Sequence, residues 1–127
     1  MNRFTDNGDG TITDHATGLV WEAATRGEMA WQEALNSCAA LRLAGHDDWR
    51  LPTIQELLTL VDYERYNPAC DPVFAAQSDF YWSSSTYQYN RLFAWSVYLD
   101  AGGIGANYKT LGGYVRAVRG PALAVQP

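Results

Sequence analysis

Asp48-Trp49-Arg50-Leu51-Pro52-Thr53-Ile54-Gln55-Glu56-Leu57 is the stretch whose reading decides the fold. It ends one segment and starts a helix, with Pro52 as punctuation and Thr53 in the N-cap position. Glu56 follows Thr53 by three residues, the spacing of a capping box, in which each side chain accepts from the other residue's orphan backbone N–H. Leu57, Leu58, Leu60 and Val61 then supply the apolar stripe of a short helix over Thr53–Asp62. Trp49 and Leu51 alternate with Arg50, which predicts an extended approach with the indole in a core. Arg50 beside a buried Trp reads as a structural guanidinium, whose fixed fork of donors suits it to bridge several backbone carbonyls.

Upstream, Trp31, Ala34, Leu35, Cys38 and Leu41 share one face and predict a first helix over Trp31–Leu43, with Gly45 placed to cap its end. Phe4 to Asp14 reads as a strand, a Gly-rich turn and a second strand. Leu19-Val20-Trp21-Glu22 returns after the turn at His15–Gly18 and makes a hairpin. The Asn7-Gly8-Asp9-Gly10 run invites a calcium-loop reading. Aligning Asp9-Gly10 with the fifth and sixth EF-hand positions puts Thr5 first and Ala16 twelfth, so both end ligands fail. Turn chemistry accounts for the run instead, since Asn, Asp and Gly tolerate positive φ.

Downstream, Tyr63–Ser78 is an irregular loop carrying Pro68 and Pro72, packed by Val73 and Phe74. From Phe80 onward the chain reads as strand and turn. Tyr81–Ser84 is a short strand. Trp95, Val97 and Leu99 alternate with Ser96, Tyr98 and Asp100, giving one buried and one exposed face. Ala101-Gly102-Gly103 turns the chain into Ile104, and Tyr114–Arg119 is the last strand. The expected domain is 3–120, with 121–127 a flexible tail.

At 127 residues, 47% hydrophobic and 18% charged, the chain is long enough for a core without staples and too apolar for a disordered tail. No apolar run reaches the ~18 residues of a membrane span. No signal peptide is legible, so a targeting segment, if the protein is exported, lies outside this sequence. The net charge of −5 is uneven: residues 1–80 hold 5 Lys+Arg against 13 Asp+Glu, residues 81–127 hold 4 against 1. That balance argues against a nucleic-acid partner, which needs a concentrated basic surface. Cys38 and Cys70 are too few and too far apart for a zinc knuckle. They read as small buried hydrophobes or, in an oxidising compartment, as a disulfide. His15 and His46 are isolated, with no metal cluster, Ser-His-Asp set or paired carboxylates beside them. No cofactor and no catalytic residue follow.

Six segments in order carry a resemblance: Gly10-Thr11-Ile12-Thr13-Asp14, Thr17-Gly18-Leu19-Val20-Trp21, Trp31-Gln32-Glu33-Ala34, Trp49-Arg50-Leu51-Pro52-Thr53, Tyr81-Trp82-Ser83-Ser84 and Tyr114-Val115-Arg116-Ala117-Val118-Arg119. Together they resemble the C-type-lectin-like domain at the C-terminus of Legionella collagen-like adhesins, over residues 3–120. The resemblance implies an α+β, C-type lectin-like fold: two helices flanking small twisted antiparallel sheets, with the chain ends close together. It also implies a cell-surface or secreted setting. Related folds include formylglycine-generating enzymes and variable receptor-binding proteins of diversity-generating retroelements. Calcium-dependent sugar binders of this fold carry Glu-Pro-Asn or Gln-Pro-Asp with Trp-Asn-Asp, and none of these occurs here. Cys38 and Cys70 do not look like the paired cysteines of the formylglycine-generating relatives.

Three readings follow: a ligand-binding module for adhesion or receptor recognition, a structural or trimerising cap of a larger surface protein, and a formylglycine-generating type of enzyme. The first draws on residue types. Tyr87, Tyr89, Tyr98 and Tyr108 crowd a turn-rich segment, and Tyr gives large contact area at low entropic cost. Asn90, Arg91 and Asn107 add adaptable polar contacts, and Ser96, Asp100, Ala106 and Leu111 complete the candidate ligand-binding set for a protein or glycan. Phe93 and Tyr114 are expected to close the core. Between apparently structural positions (Trp82, Trp95, Val97, Leu99, Ile104, Val115, Val118) the residues follow no pattern. That mixture suits a scaffold diversified by a retroelement, in which one face changes while the fold stays.

Overall fold

The computed structural model describes residues 2–121. Its strands are β1 (Phe4–Asp6), β2 (Thr11–Asp14), β3 (Val20–Glu22), β4 (Arg26–Met29), β5 (Phe80–Thr86), β6 (Phe93–Tyr98), β7 (Gly103–Tyr108), β8 (Gly113–Val115) and β9 (Val118–Arg119). Helices α1 (Trp31–Ala39) and α2 (Ile54–Leu58) lie between β4 and β5, followed by a 3-10 turn at Pro72–Phe74. The architecture is α+β, with a four-stranded sheet ordered β1-β2-β3-β9 and a five-stranded sheet ordered β4-β8-β5-β6-β7. The larger sheet is mixed and not purely antiparallel, because β5 and β8 pair in parallel.

The capping box forms as the spacing predicts. Thr53 Oγ1 accepts from Glu56 N at 3.2 Å, and Glu56 Oε1 accepts from Thr53 N at 2.9 Å. Trp49 and Leu51 are buried on the approach. Ser84 N donates to Pro52 O at 2.7 Å and Ile54 N to Ser85 Oγ at 3.1 Å, so β5 fixes where α2 starts. α2 proper is one turn shorter at its end than the apolar stripe suggests. Leu60 and Val61 continue it by tighter bonds to Leu57 O and Leu58 O.

The predicted first helix also ends early. Its C-cap is Ala40, and Gly45 instead sits at φ 80° in the turn closed by the Leu43–His46 bridge. β4 was not foreseen. The predicted last strand is two: β8 belongs to the five-stranded sheet and β9 to the four-stranded one, so the chain changes sheets at Arg116–Ala117.

Arg116 is buried at that crossing. Its Nη1 donates to the carbonyls of Glu22 and Ala23, both at 2.7 Å, and its Nη2 to Thr25 Oγ1 and Phe74 O, also at 2.7 Å. The carbonyl-bridging guanidinium expected of Arg50 is therefore found at Arg116. Arg50 has a carboxylate as its main partner, with Nη1 2.6 Å and Nη2 2.8 Å from the two Glu56 oxygens, and one carbonyl, that of Gly120 at 3.0 Å.

Two cores result. One gathers Ile12, Trp21, Leu57, Phe74, Tyr81, Val97 and Leu99, the other Ala34, Cys38, Trp49, Trp82, Ala94 and Val115. Cys70 lies in the first and Cys38 in the second, both as free thiols, so the disulfide alternative is not realised. The tail expected at 121–127 lies, from residue 122 on, outside the described residues.

Candidate functional site

β6 and β7 pair in unbroken antiparallel register, from Phe93↔Tyr108 to Tyr98↔Gly103. Opposed residues in such a pair share a face. One face of the hairpin therefore carries Phe93, Tyr108, Trp95, Ala106, Val97 and Ile104, and the other Ala94, Asn107, Ser96, Gly105 and Tyr98.

The first face is aromatic. The Phe93 and Tyr108 rings lie 4.1 Å apart, Tyr87 and Trp95 4.8 Å, and Tyr87 and Tyr89 5.3 Å. Tyr87 leads out of β5 into the turn that reaches β6. Its N–H donates to Phe93 O at 3.0 Å, and Asn90 Oδ1 accepts from Leu92 N at 3.0 Å, so the Asn90 side chain shapes the turn that presents Tyr89. Tyr89 is 77% exposed and Tyr108 51%. Arg91 is exposed on the same turn. Beside Trp95 the face continues into an apolar groove of about 270 Å³ lined by Ile54, Gln55 and Leu58 of α2 together with Trp95 and Ile104.

The eleven candidate residues do not meet on one face. Tyr98, Asn107 and Ser96 form a hydrogen-bonded row on the opposite side, with Tyr98 Oη 3.0 Å from Asn107 Oδ1 and Asn107 Nδ2 2.7 Å from Ser96 Oγ. Ser96 is fully buried, which corrects the expected exposed position. The alternation fails there because this part of the sheet is covered on both sides. Ala94 and Ser96 pack in one direction and Val97 in the other, while Trp95, expected in the core, is only partly buried. Gly105 also has a structural cause: a Cβ there would stand 2.5 Å from Tyr98 Cε1. Asp100 is exposed at the far end of β6, its Oδ1 accepting from Ala101 N, and Leu111 is exposed beyond β7. Ala106 sits half-buried between Ile104 and Tyr108 on the aromatic face.

Ile104, Ile54 and Leu58 were missed as surface residues. Ile104 is 53% exposed although its apolar character suggested core. The predicted stripe of Leu57, Leu58, Leu60 and Val61 holds Leu58 but not Ile54, and α2 leaves both half uncovered. A second open groove, about 510 Å³, lies beside the loop between α2 and the 3-10 turn and is lined by Tyr66, Pro68, Cys70 and Pro72 among others. The Cys70 thiol at its wall is raised by burial to about 11, so it offers no nucleophile.

The Gly-rich turn between β1 and β2 holds its own polar groups. Asp9 Oδ1 accepts from Thr11 N and Thr11 Oγ1, Asp6 Oδ1 from Gly8 N, and Asn7 Nδ2 donates to Thr11 Oγ1 and Thr13 Oγ1. Among the described residues no three His, Cys, Asp or Glu side chains stand close enough to hold a metal ion. Among those residues, too, no helix is long and apolar enough to cross a membrane.

The family model described as the Lcl C-terminal domain matches residues 10–119, an interval that begins and ends with the first and last of the six segments quoted above. No curated protein matches the chain.

Proposed function

The chain belongs to the Lcl C-terminal domain family, and from that premise we propose that it is a ligand-binding module for adhesion or receptor recognition, carried on a C-type-lectin-like scaffold at a cell surface or in secreted form. The observation that supports this most is the aromatic row Tyr89–Tyr87–Trp95 with Phe93–Tyr108, exposed at Tyr89 and Tyr108 and partly buried at Tyr87, Phe93 and Trp95, running into the apolar groove between α2 and β7. Rigid aromatic side chains on a paired sheet give contact area without a large ordering cost, and an adjoining apolar slot adds a place for an anchoring group. The contact set is Tyr87, Tyr89, Arg91, Trp95, Ile104, Ala106 and Tyr108, with Asn90 shaping the turn. Tyr98, Asn107 and Ser96 support it from behind the sheet. The partner is a protein or a glycan, and the binding needs no calcium.

Diversification by a retroelement would act on this same face. The scaffold residues Trp82, Val97, Leu99, Val115 and Val118 are buried, while Tyr87–Leu92 and Tyr108–Leu111 lie at the rim. The variable set would then include Ile104 and exclude Ser96 and Gly105. The trimerising-cap reading draws on no comparable feature.

Screening the purified domain on glycan and protein arrays in excess chelator tests the proposal. A ligand found there should lose at least about tenfold in affinity to Tyr89→Ala and to Tyr108→Ala, the size expected of an aromatic contact at the centre of an interface. Binding that needs added calcium, or that survives both substitutions, would remove this face from consideration.

A further inference from the structure

Four strands form the outer edges of the two sheets, and three of them are blunted. β1 is three residues long and carries Asp6. β9 is two residues long, with Arg119 Nε 2.7 Å from Asp48 Oδ1 and Val118 bridged to Arg50. β4 carries Arg26 and Glu28 and shifts register between Arg26 and Met29. Shortness, charge and bulges are the devices that keep sheet edges from pairing with other chains. β7 has none of them. Gly103-Ile104-Gly105-Ala106-Asn107-Tyr108 is six residues long, uncharged, free of proline and in unbroken register with β6, its one partner in the sheet.

The register also fixes which backbone groups this edge offers. Lys109 N donates to Leu92 O at 2.9 Å, so Leu92 and Lys109 are a hydrogen-bonded pair. In an antiparallel ladder such pairs alternate with pairs whose N–H and C=O groups turn away from each other. Gly105 and Asn107 therefore bond to β6, opposite Ser96 and Ala94, while Ile104, Ala106 and Tyr108 turn their backbone groups outward. Among the described residues, the one outward group with a partner is Tyr108 O, which accepts from Leu111 N at 2.9 Å. The open edge thus holds the N–H groups of Ile104, Ala106 and Tyr108 and the carbonyls of Ile104 and Ala106. These are the same three residues whose side chains stand on the aromatic face.

Resting on the reading that this face binds a ligand, we propose that β7 takes an extended peptide segment of another protein, added antiparallel as a sixth strand of the sheet. Donors and acceptors repeated at the strand spacing match a polypeptide backbone, and a sugar chain carries no such alternation. The peptide residues opposite Ile104, Ala106 and Tyr108 put their side chains on the aromatic face, since opposed residues share a face. Ala106 is small, so it leaves room between the half-exposed Ile104 and Tyr108 for a large apolar side chain at the central position. The residue opposite Ile104 stands at the outer wall of the groove that Ile104 forms with Ile54, Leu58 and Trp95. No charge lies on β7, and the flanking Lys109 is drawn inward, its Nζ 4.0 Å from the Trp31 ring centroid and 3.1 Å from Thr86 Oγ1. The segment that fits is neutral, with an apolar or aromatic residue at every second position.

The test exposes the purified chain to an array of acetylated, amidated heptapeptides in which Thr alternates with Val, Ile, Leu, Phe or Tyr. Titrations run to about 1 mM, because one added strand makes a small and correspondingly weak interface. N-methylation should weaken binding at least about tenfold at the peptide residues with the large side chains and leave it unchanged at the residues between, because alternate amides alone reach β7. Ala106→Pro should abolish the binding, since proline removes an outward N–H and no bond to β6, a change that an edge strand tolerates. A thermal melt followed by circular dichroism confirms that this variant folds, and the N-methyl series makes the same distinction without altering the protein. An array on which no peptide binds, or N-methyl effects without the two-residue period, overturns the inference. A glycan or protein ligand lost to Tyr108→Ala but indifferent to Ala106→Pro overturns it as well, and leaves the binding face standing. A ligand indifferent to both substitutions removes the face and the inference together.

Discussion

Arg50 grips the Glu56 carboxylate with both terminal nitrogens, at 2.6 and 2.8 Å, and that same carboxylate closes the capping box on Thr53 N. Glu56 is buried, and the ion pair stands between the Trp49–Pro52 approach and the carbonyl of Gly120. One side chain thereby fixes the start of α2, and the other ties that start to the end of β9.

Arg50→Lys should lower stability by about 1–3 kcal/mol, because an ammonium cannot reproduce the two-pronged contact and also reach Gly120 O. A chemical-denaturation midpoint is the measurement. A midpoint equal to the parent's would mean that the guanidinium is merely solvated.

Arg116→Lys should cost more, about 3–5 kcal/mol, since it leaves some of the buried acceptors on Glu22, Ala23, Thr25 and Phe74 without a donor. The same denaturation series ranks the two variants. Equal losses would show that the crossing between sheets does not depend on this fork.

Acid should unfold the protein partly through Asp14. Burial raises its pKa, but bonds from Arg3, the Ala16 N–H and the Thr17 hydroxyl outweigh burial and hold the carboxyl below its usual value. A carboxyl depressed in the folded state adds stability above its unfolded pKa and loses it as pH falls through the folded one, so melting temperature should drop below about pH 4. Asp14→Asn should lower stability at neutral pH and flatten that acid limb. An acid limb as steep in Asp14→Asn as in the parent would assign the transition to other carboxyls.

The two thiols should resist labelling. Burial pushes Cys38 up to about 12 and Cys70 to about 11, leaving almost no thiolate at pH 8. A disulfide reagent should react slowly with the native chain and rapidly with both thiols after unfolding in guanidinium. Fast labelling of the native chain would contradict the buried placement.

The features legible in the sequence were those fixed by local chemistry. The Thr53–Glu56 box, the burial of Trp49 and Leu51 and the hairpin of β2 with β3 each follow from a few adjacent residues. The features missed depend on what packs from elsewhere. Arg26-Gly27-Glu28-Met29 has no strand pattern of its own and is extended because β8 pairs with it. Tyr114–Arg119 looks continuous, and only the second sheet breaks it. Ser96 and Ile104 exchanged their expected places for the same reason: alternation tells which residues share a face, while the neighbouring elements decide whether that face is covered. The aromatic candidates were legible as residue types, but their division between two faces needed the β6–β7 register.

The order β1-β2-β3-β9 has a mechanical consequence. Each neighbour runs antiparallel to the last, so the outer ends of β1 and β9 leave from the same end of the sheet, separated by three strand spacings, about 14 Å. Tension applied between those two ends would peel the outer strands one hydrogen bond at a time and not shear whole ladders together. Held by one end alone, the four-stranded sheet escapes that peeling. A fold laid out in this way suits display from a single tether better than service as a link in a stretched chain.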